Sequence, residues 1–158
     1  MVDVANVMGA RADGWWRDRA GAALRLCREV MALASRGTGL SGPWGEWPAA
    51  AWVLVLEGRA RDAAERLPDS AADSAADRPA DSAVPVRVVS APASGDDAIV
   101  GVVAEVTASG GHCLVVTADR ELRRRCEALD AAVVGPAWLL RLLPPGNIKL
   151  SPSPMHDV

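Results

Sequence analysis

The chain has 158 residues, of which 50% are hydrophobic, enough for one domain with a sizeable core. Its net charge of −3 gives no overall basic signature, so any nucleic-acid contact has to come from a local patch. Cys27, Cys113 and Cys126 are an odd number without a C-x-x-C pair, and no signal peptide, transit peptide or apolar run of about 18 residues is present. Structural disulfides, a zinc knuckle and a membrane span are therefore not expected, and a reducing cytoplasm fits.

Met1 to Val7 reads as a short apolar strand with Asp3 inside it and Asn6 near its end. A carboxylate in a buried strand is costly unless something pairs with it, so Asp3 is the acid hardest to explain as surface decoration. Gly9 to Arg19 reads as a loop entering a helix, with Asp13 placed to cap it. Trp15 and Trp16 stand among Arg11, Arg17 and Arg19, the composition of a nucleic-acid surface on which rings stack on bases and guanidiniums hold phosphates. The alternative is core packing by one ring and solvated arginines, so the two tryptophans are expected to divide these roles. The helix runs to about Ala34, with Ala23, Cys27, Val30, Met31 and Ala34 on one face. Ser35 to Pro48, with Trp44 and Trp47, is rich in Gly and Pro and reads as a loop.

Ala51 to Gly58 is a continuous apolar run, as in a strand covered on both faces, and Glu57 closes it. Residues 61–85 then change character. A tandem Asp-Ser-Ala-Ala repeat begins at Asp69, without a large apolar residue through Ser82, and 61–85 is expected to be a disordered low-complexity insertion in a surface loop. Val86 to Ala91 is the next strand. Ser94-Gly95-Asp96-Asp97 opens a helix reaching about Ala108. Ser94 and Asp97 have capping-box spacing and Asp96 suits the positive end of the helix dipole, but the same acids have the chemistry of Mg²⁺ or Mn²⁺ ligands. His112 to Val116 is a strand followed by Asp119, again either an N-cap or a ligand. Leu122, Cys126 and Leu129 mark the apolar face of the following helix, on which Arg123, Arg124 and Arg125 are exposed. Ala132 to Val134 and Ala137 to Leu143 read as a last strand and helix, and 146–158 as a flexible tail.

Strands alternating with helices define an α/β domain over 1–145 with a mainly parallel sheet, whose site is expected outside the carboxyl ends of the strands. Glu57, Asp96, Asp97 and Asp119 fall at or after strand ends, and Asp3 lies in the opening strand. Each acid has a local explanation, yet their gathering at one end of one sheet calls for cations between them. The chain has no G-x-x-x-x-G-K-[ST] and no G-x-S-x-G, and suggests no Ser–His or Cys–His pair. Metal-assisted chemistry without a protein nucleophile is what remains.

Val2-Asp3-Val4-Ala5-Asn6 resembles the opening strand of NYN domains, which belong to the PIN-like nucleases. Val55-Leu56-Glu57-Gly58 is similar to a second-strand segment ending in an acid, here Glu where Asp is commoner. Ser94-Gly95-Asp96-Asp97-Ala98-Ile99 resembles the paired-aspartate segment of YacP-like NYN proteins and flap-type nucleases, and Thr117-Ala118-Asp119-Arg120-Glu121-Leu122 the next strand-end aspartate. The resemblance implies a three-layer α/β/α sandwich and Mg²⁺- or Mn²⁺-dependent cleavage of RNA. It would make Asp3, Asp96, Asp97 and Asp119 catalytic metal ligands, with Glu57 assisting directly or through water. Asn6, Arg11, Trp15, Trp16, Arg17, Arg19 and Arg120 would contact the RNA. Two alternatives stand beside it: a metal-dependent hydrolase of nucleotides or phosphate esters, and a non-catalytic RNA-binding module on the same fold.

Overall fold

The opening strand is only two residues long, and the chain turns from it straight into a helix. In chain order the elements of this computed structural model are β1 (Val2–Asp3), α1 (Val4–Gly9), a 3-10 turn (Trp15–Arg17), α2 (Arg19–Ala34), β2 (Leu40–Gly42), β3 (Gly45–Trp47) and β4 (Trp52–Leu56). A 3-10 helix (Gly58–Arg66), β5 (Val86–Ser90), α3 (Gly95–Ala108), β6 (Leu114–Val116), α4 (Arg120–Glu127), β7 (Ala132–Val134) and α5 (Pro136–Leu142) follow. The structure describes residues 1–36, 40–42, 45–47, 51–67 and 84–143. Trp44, the repeat from Asp69 to Ser82 and the tail 146–158 lie outside the described residues.

Five strands form one sheet in the order β5-β4-β1-β6-β7, every pair parallel. The chain starts at the centre, builds to one edge through β4 and β5, then crosses to the other side through β6 and β7. That reversal creates the crevice beside β1 in which open α/β sheets bind ligands. Side chains alternate across the sheet. Trp52, Leu54 and Leu56 of β4 join Leu114 and Val116 of β6 in a cluster with α1, α2 and α5, while Val55 and Val115 pack with Ile99 and Val103 of α3 and Leu122 and Cys126 of α4. Both faces are thus covered by helices, and the class is α/β, as the alternation of elements predicts. Leu54, Leu56, Ile99 and Leu122 are fully buried, each worth about 1.5–3 kcal/mol in transfer from water.

Four local readings change. Met1 to Val7 is not one strand, because Val4, Val7 and Met8 are buried at helical spacing and Asp3 accepts the Asn6 N–H as the N-cap of α1 (3.0 Å). The cap of α2 is Asp18 rather than Asp13; its Oδ1 accepts the Gly21 N–H at 2.8 Å. Only a glycine fits there, since a Cβ on Gly21 would stand 1.9 Å from the Asp18 carboxylate. Within the expected loop Ser35 to Pro48, β2 and β3 pair antiparallel, with Gly45 at a φ of 95°. Finally, the expected disorder of 61–85 does not begin at 61. Ala60, Ala63 and Leu67 form a buried stripe three and four residues apart, and the 3-10 helix carrying them packs on α2.

Candidate functional site

A cleft of about 570 Å³ opens where β1, β4 and β6 end, in the crevice beside the centre of the sheet. Asp3, Glu57, Asp96 and Asp119 line it, together with Asn6 and Ser94. The small residues Ala5, Gly9, Ala10 and Ala118 leave the space open, and among the described residues no Lys or Arg is part of the lining.

Every acid here sits at a strand-to-helix joint. Asp3 is 8% exposed and fully engaged: Oδ1 accepts from the Asn6 amide and Oδ2 from the Thr117 hydroxyl at 2.9 Å. Burial pushes its carboxyl above the ordinary value, against the pull of those two bonds, and Asp96 and Glu57 push it the same way. Asp119 caps α4, its Oδ1 accepting the N–H groups of Glu121 and Leu122, both at 2.8 Å. Thr117 ties these two acids together, because its Oγ1 also accepts the Asp119 N–H at 3.1 Å. Asn6 adds a parallel tie, its Oδ1 accepting the Ala118 N–H at 2.9 Å. One small network therefore fixes the end of β1 to the loop after β6.

Glu57 reaches from the end of β4 to the start of α3, where its Oε2 accepts the Gly95 N–H at 2.8 Å. Ser94 caps α3 by accepting the Asp97 N–H at 3.4 Å. Asp96, in the first turn of α3, is the exception. It is half-buried and makes no hydrogen bond or ion pair among the described residues. Burial first, then the charges of Asp119 and Glu57, push its carboxyl above the ordinary value, opposed by Arg125.

The remaining expected site residues are dispersed. Asp97 points away from the cleft, 72% exposed, and pairs with Arg125 across to α4 at 2.7 Å; only the serine half of the expected capping box forms. Arg11 is engaged by Glu29. Trp15 packs against the core and Trp16 is 58% exposed, so the two rings differ in burial. The Trp15 ring lies beside Gly9 of α1, and the guanidiniums of Arg19 and Arg17 lie 5.3 and 6.0 Å from the centres of Trp15 and Trp16. Arg120 is exposed, next in sequence to Asp119. Thr117 is the residue the sequence reading passed over; a Thr two before a capping Asp was its signal.

The donor set is made of hard carboxylate oxygens. Among the described residues, no three His, Cys, Asp or Glu side chains stand close enough to hold one ion together. Mg²⁺ asks less than that: it binds through one or two carboxylates and keeps several waters. Asp96, which feels the charge of Asp119 across the cleft, suits that demand together with Asp119. The cysteines offer no competing chemistry. Cys27, Cys113 and Cys126 are free and buried, and burial pushes the Cys27 thiol to about 12 and the Cys126 thiol to about 11, far from a thiolate at neutral pH. No described helix is long and apolar enough to cross a membrane. Comparison with protein-family models, with curated proteins and with solved structures finds no match.

Proposed function

We propose that the acidic cleft holds Mg²⁺ or Mn²⁺ and hydrolyses phosphodiester bonds of RNA. The observation that carries this reading is Asp96: a half-buried carboxylate without a hydrogen-bonding partner among the described residues, facing Asp119 and Glu57 in a cleft whose described lining holds no Lys or Arg. A cation is the natural neutraliser of such a set. Asp96 and Asp119 would hold it directly, and Asp3 would add charge from behind while fixing the joint through Thr117. The bound cation would lower the pKa of a water and stabilise the leaving oxygen. The chain's own part is to orient that water, with Asp119 held in place by the amides it caps. The motif resemblance to NYN and PIN-like nucleases supplies RNA as the substrate, and the exposed Trp16 with Arg17 supplies a surface suited to an unpaired base and its phosphate. Three free cysteines fit a cytoplasmic setting.

A lining without Lys or Arg among the described residues favours a second substrate class, a nucleotide or small phosphate ester whose charge is met by the cation alone. Incubation of labelled single-stranded RNA, and separately of a nucleotide panel, with Mn²⁺, Mg²⁺ or EDTA tests both. The expected result is cleavage that needs metal and falls at least about 10-fold in Asp96→Asn and Asp119→Asn. Cleavage in EDTA, or full activity in both variants, overturns the metal site; turnover of nucleotides but not of RNA selects the second class.

A further inference from the structure

Glu57 is the acid whose geometry does not match a ligand's role. We infer that Glu57 is a positioning residue: it clamps the amino end of α3 so that Asp96 faces the cleft, and leaves cation binding to Asp96 and Asp119. This rests on the cation reading of the cleft.

The first four N–H groups of a helix have no partner inside it. In α3 the Asp97 N–H is met by Ser94 and the Gly95 N–H by Glu57, from a strand 38 residues earlier in sequence. Glu57 is the only side chain described as bonding Gly95, the residue directly before Asp96. The contact is close-packed: a Cβ on Gly95 would stand 2.7 Å from Oε2 of Glu57 and 3.2 Å from its Cδ. Gly95 has no positive φ, so its lack of a side chain serves this approach and not a backbone turn. Side-chain length explains the residue type. An aspartate at position 57 would place its carboxylate about 1.5 Å nearer its own backbone, stretching a 2.8 Å bond beyond hydrogen-bonding range. Glutamine keeps both the reach and the accepting oxygen and loses only the charge.

A ligand and a clamp therefore predict opposite orders for two conservative variants. As a ligand, Glu57→Asp keeps the charged donor while Glu57→Gln loses it. As a clamp, Glu57→Gln keeps the bond while Glu57→Asp breaks it. Two measurements on the whole chain read this: amide hydrogen exchange at Gly95 without metal, and titration with Mn²⁺ alone followed by calorimetry. We expect Gly95 to stay protected in Glu57→Gln and to exchange at least about 10-fold faster in Glu57→Asp, the protection given by one charge-assisted hydrogen bond. Mn²⁺ affinity should hold within about 3-fold in Glu57→Gln and fall about 10- to 100-fold in Glu57→Asp, as when a supporting partner of a ligand is lost. Gly95→Ala, which alters no acid and displaces the Glu57 carboxylate, should fall with Glu57→Asp. The reverse order of Mn²⁺ affinities makes Glu57 a ligand and overturns the clamp, as does equal Gly95 exchange in all proteins. A wild type with Gly95 protected but without Mn²⁺ binding refutes instead the cation reading, and the positioning role with it.

Discussion

Asp96 differs from its three neighbours in the cleft because no backbone amide or hydroxyl among the described residues holds it, and this makes its charge a cost. Its carboxyl titrates above the ordinary 3.8, so the folded state binds the proton more tightly than the unfolded chain. The sign follows by linkage: the stabilisation from the protonated form is fully present below 3.8 and is lost as pH rises through the higher folded value. Asp96→Asn should therefore match the wild type at the acid end and exceed it in stability at neutral pH when metal is chelated. Denaturant melts in EDTA across that range check it, and a variant less stable than wild type at pH 7 rejects it. Asp97 gives the contrasting case. Facing solvent and paired with Arg125, it should tolerate Asp97→Asn with RNA cleavage held within a few-fold, whereas Asp96→Asn loses it. Equal losses in the two variants would return Asp97 to the site.

Between elements, the joints decide what the sequence reveals. The strands β4, β5 and β7, the end of α3 and the cap of α4 were legible because short valine-rich runs and Ser or Asp at helix starts leave few choices. The opening was not, because Val-Asp-Val-Ala-Asn-Val satisfies a strand and a helix alike; Asp3 as a cap settles it for the helix after two strand residues. At α2, Asp13 and Asp18 compete as caps, and the fit of Gly21 under Asp18 decides the matter, a contact invisible in the linear chain. Of the five acids expected to converge, four line the cleft, and the direction of Asp97 was set by Arg125, 28 residues later. The Trp15–Arg17 turn is the element with an unabsorbed surface. If Trp16 stacks on an unpaired base, Trp16→Ala should weaken single-stranded RNA binding by about 5- to 150-fold, equivalent to about 1–3 kcal/mol. Arg17→Ala should lower the slope of log affinity against log salt by about 0.7, one phosphate's worth on a single strand. Fluorescence titration over a salt series reads both, and an unchanged affinity in Trp16→Ala assigns the turn to packing alone.

For the molecule as a whole, one sheet divides two apolar layers, and each layer depends on residues from distant parts of the chain. Leu54 belongs to the layer of α1 and α2, Leu122 to that of α3 and α4, and both are fully buried. Because the layers share β1, β4 and β6, they should melt together. Leu54→Ala and Leu122→Ala are each expected to cost about 2–5 kcal/mol, and to lower the denaturant midpoint without changing the slope of the transition. A biphasic melt in either variant would mean that the faces are independent units.

The double employment of Asp3 and Asp119, as helix caps and as cleft lining, has a consequence for how this chain tolerates variation. A library of all single substitutions scored for cellular abundance would mark both positions as intolerant, along with Thr117, because losing a cap or its tie unfolds protein. The same library would pass Asp96 and favour its neutral replacements. Scored for turnover, Asp96 would join the intolerant set. Subtracting the abundance map from the turnover map would thus single out the acid with no architectural duty, while the others would stay hidden behind their contribution to folding.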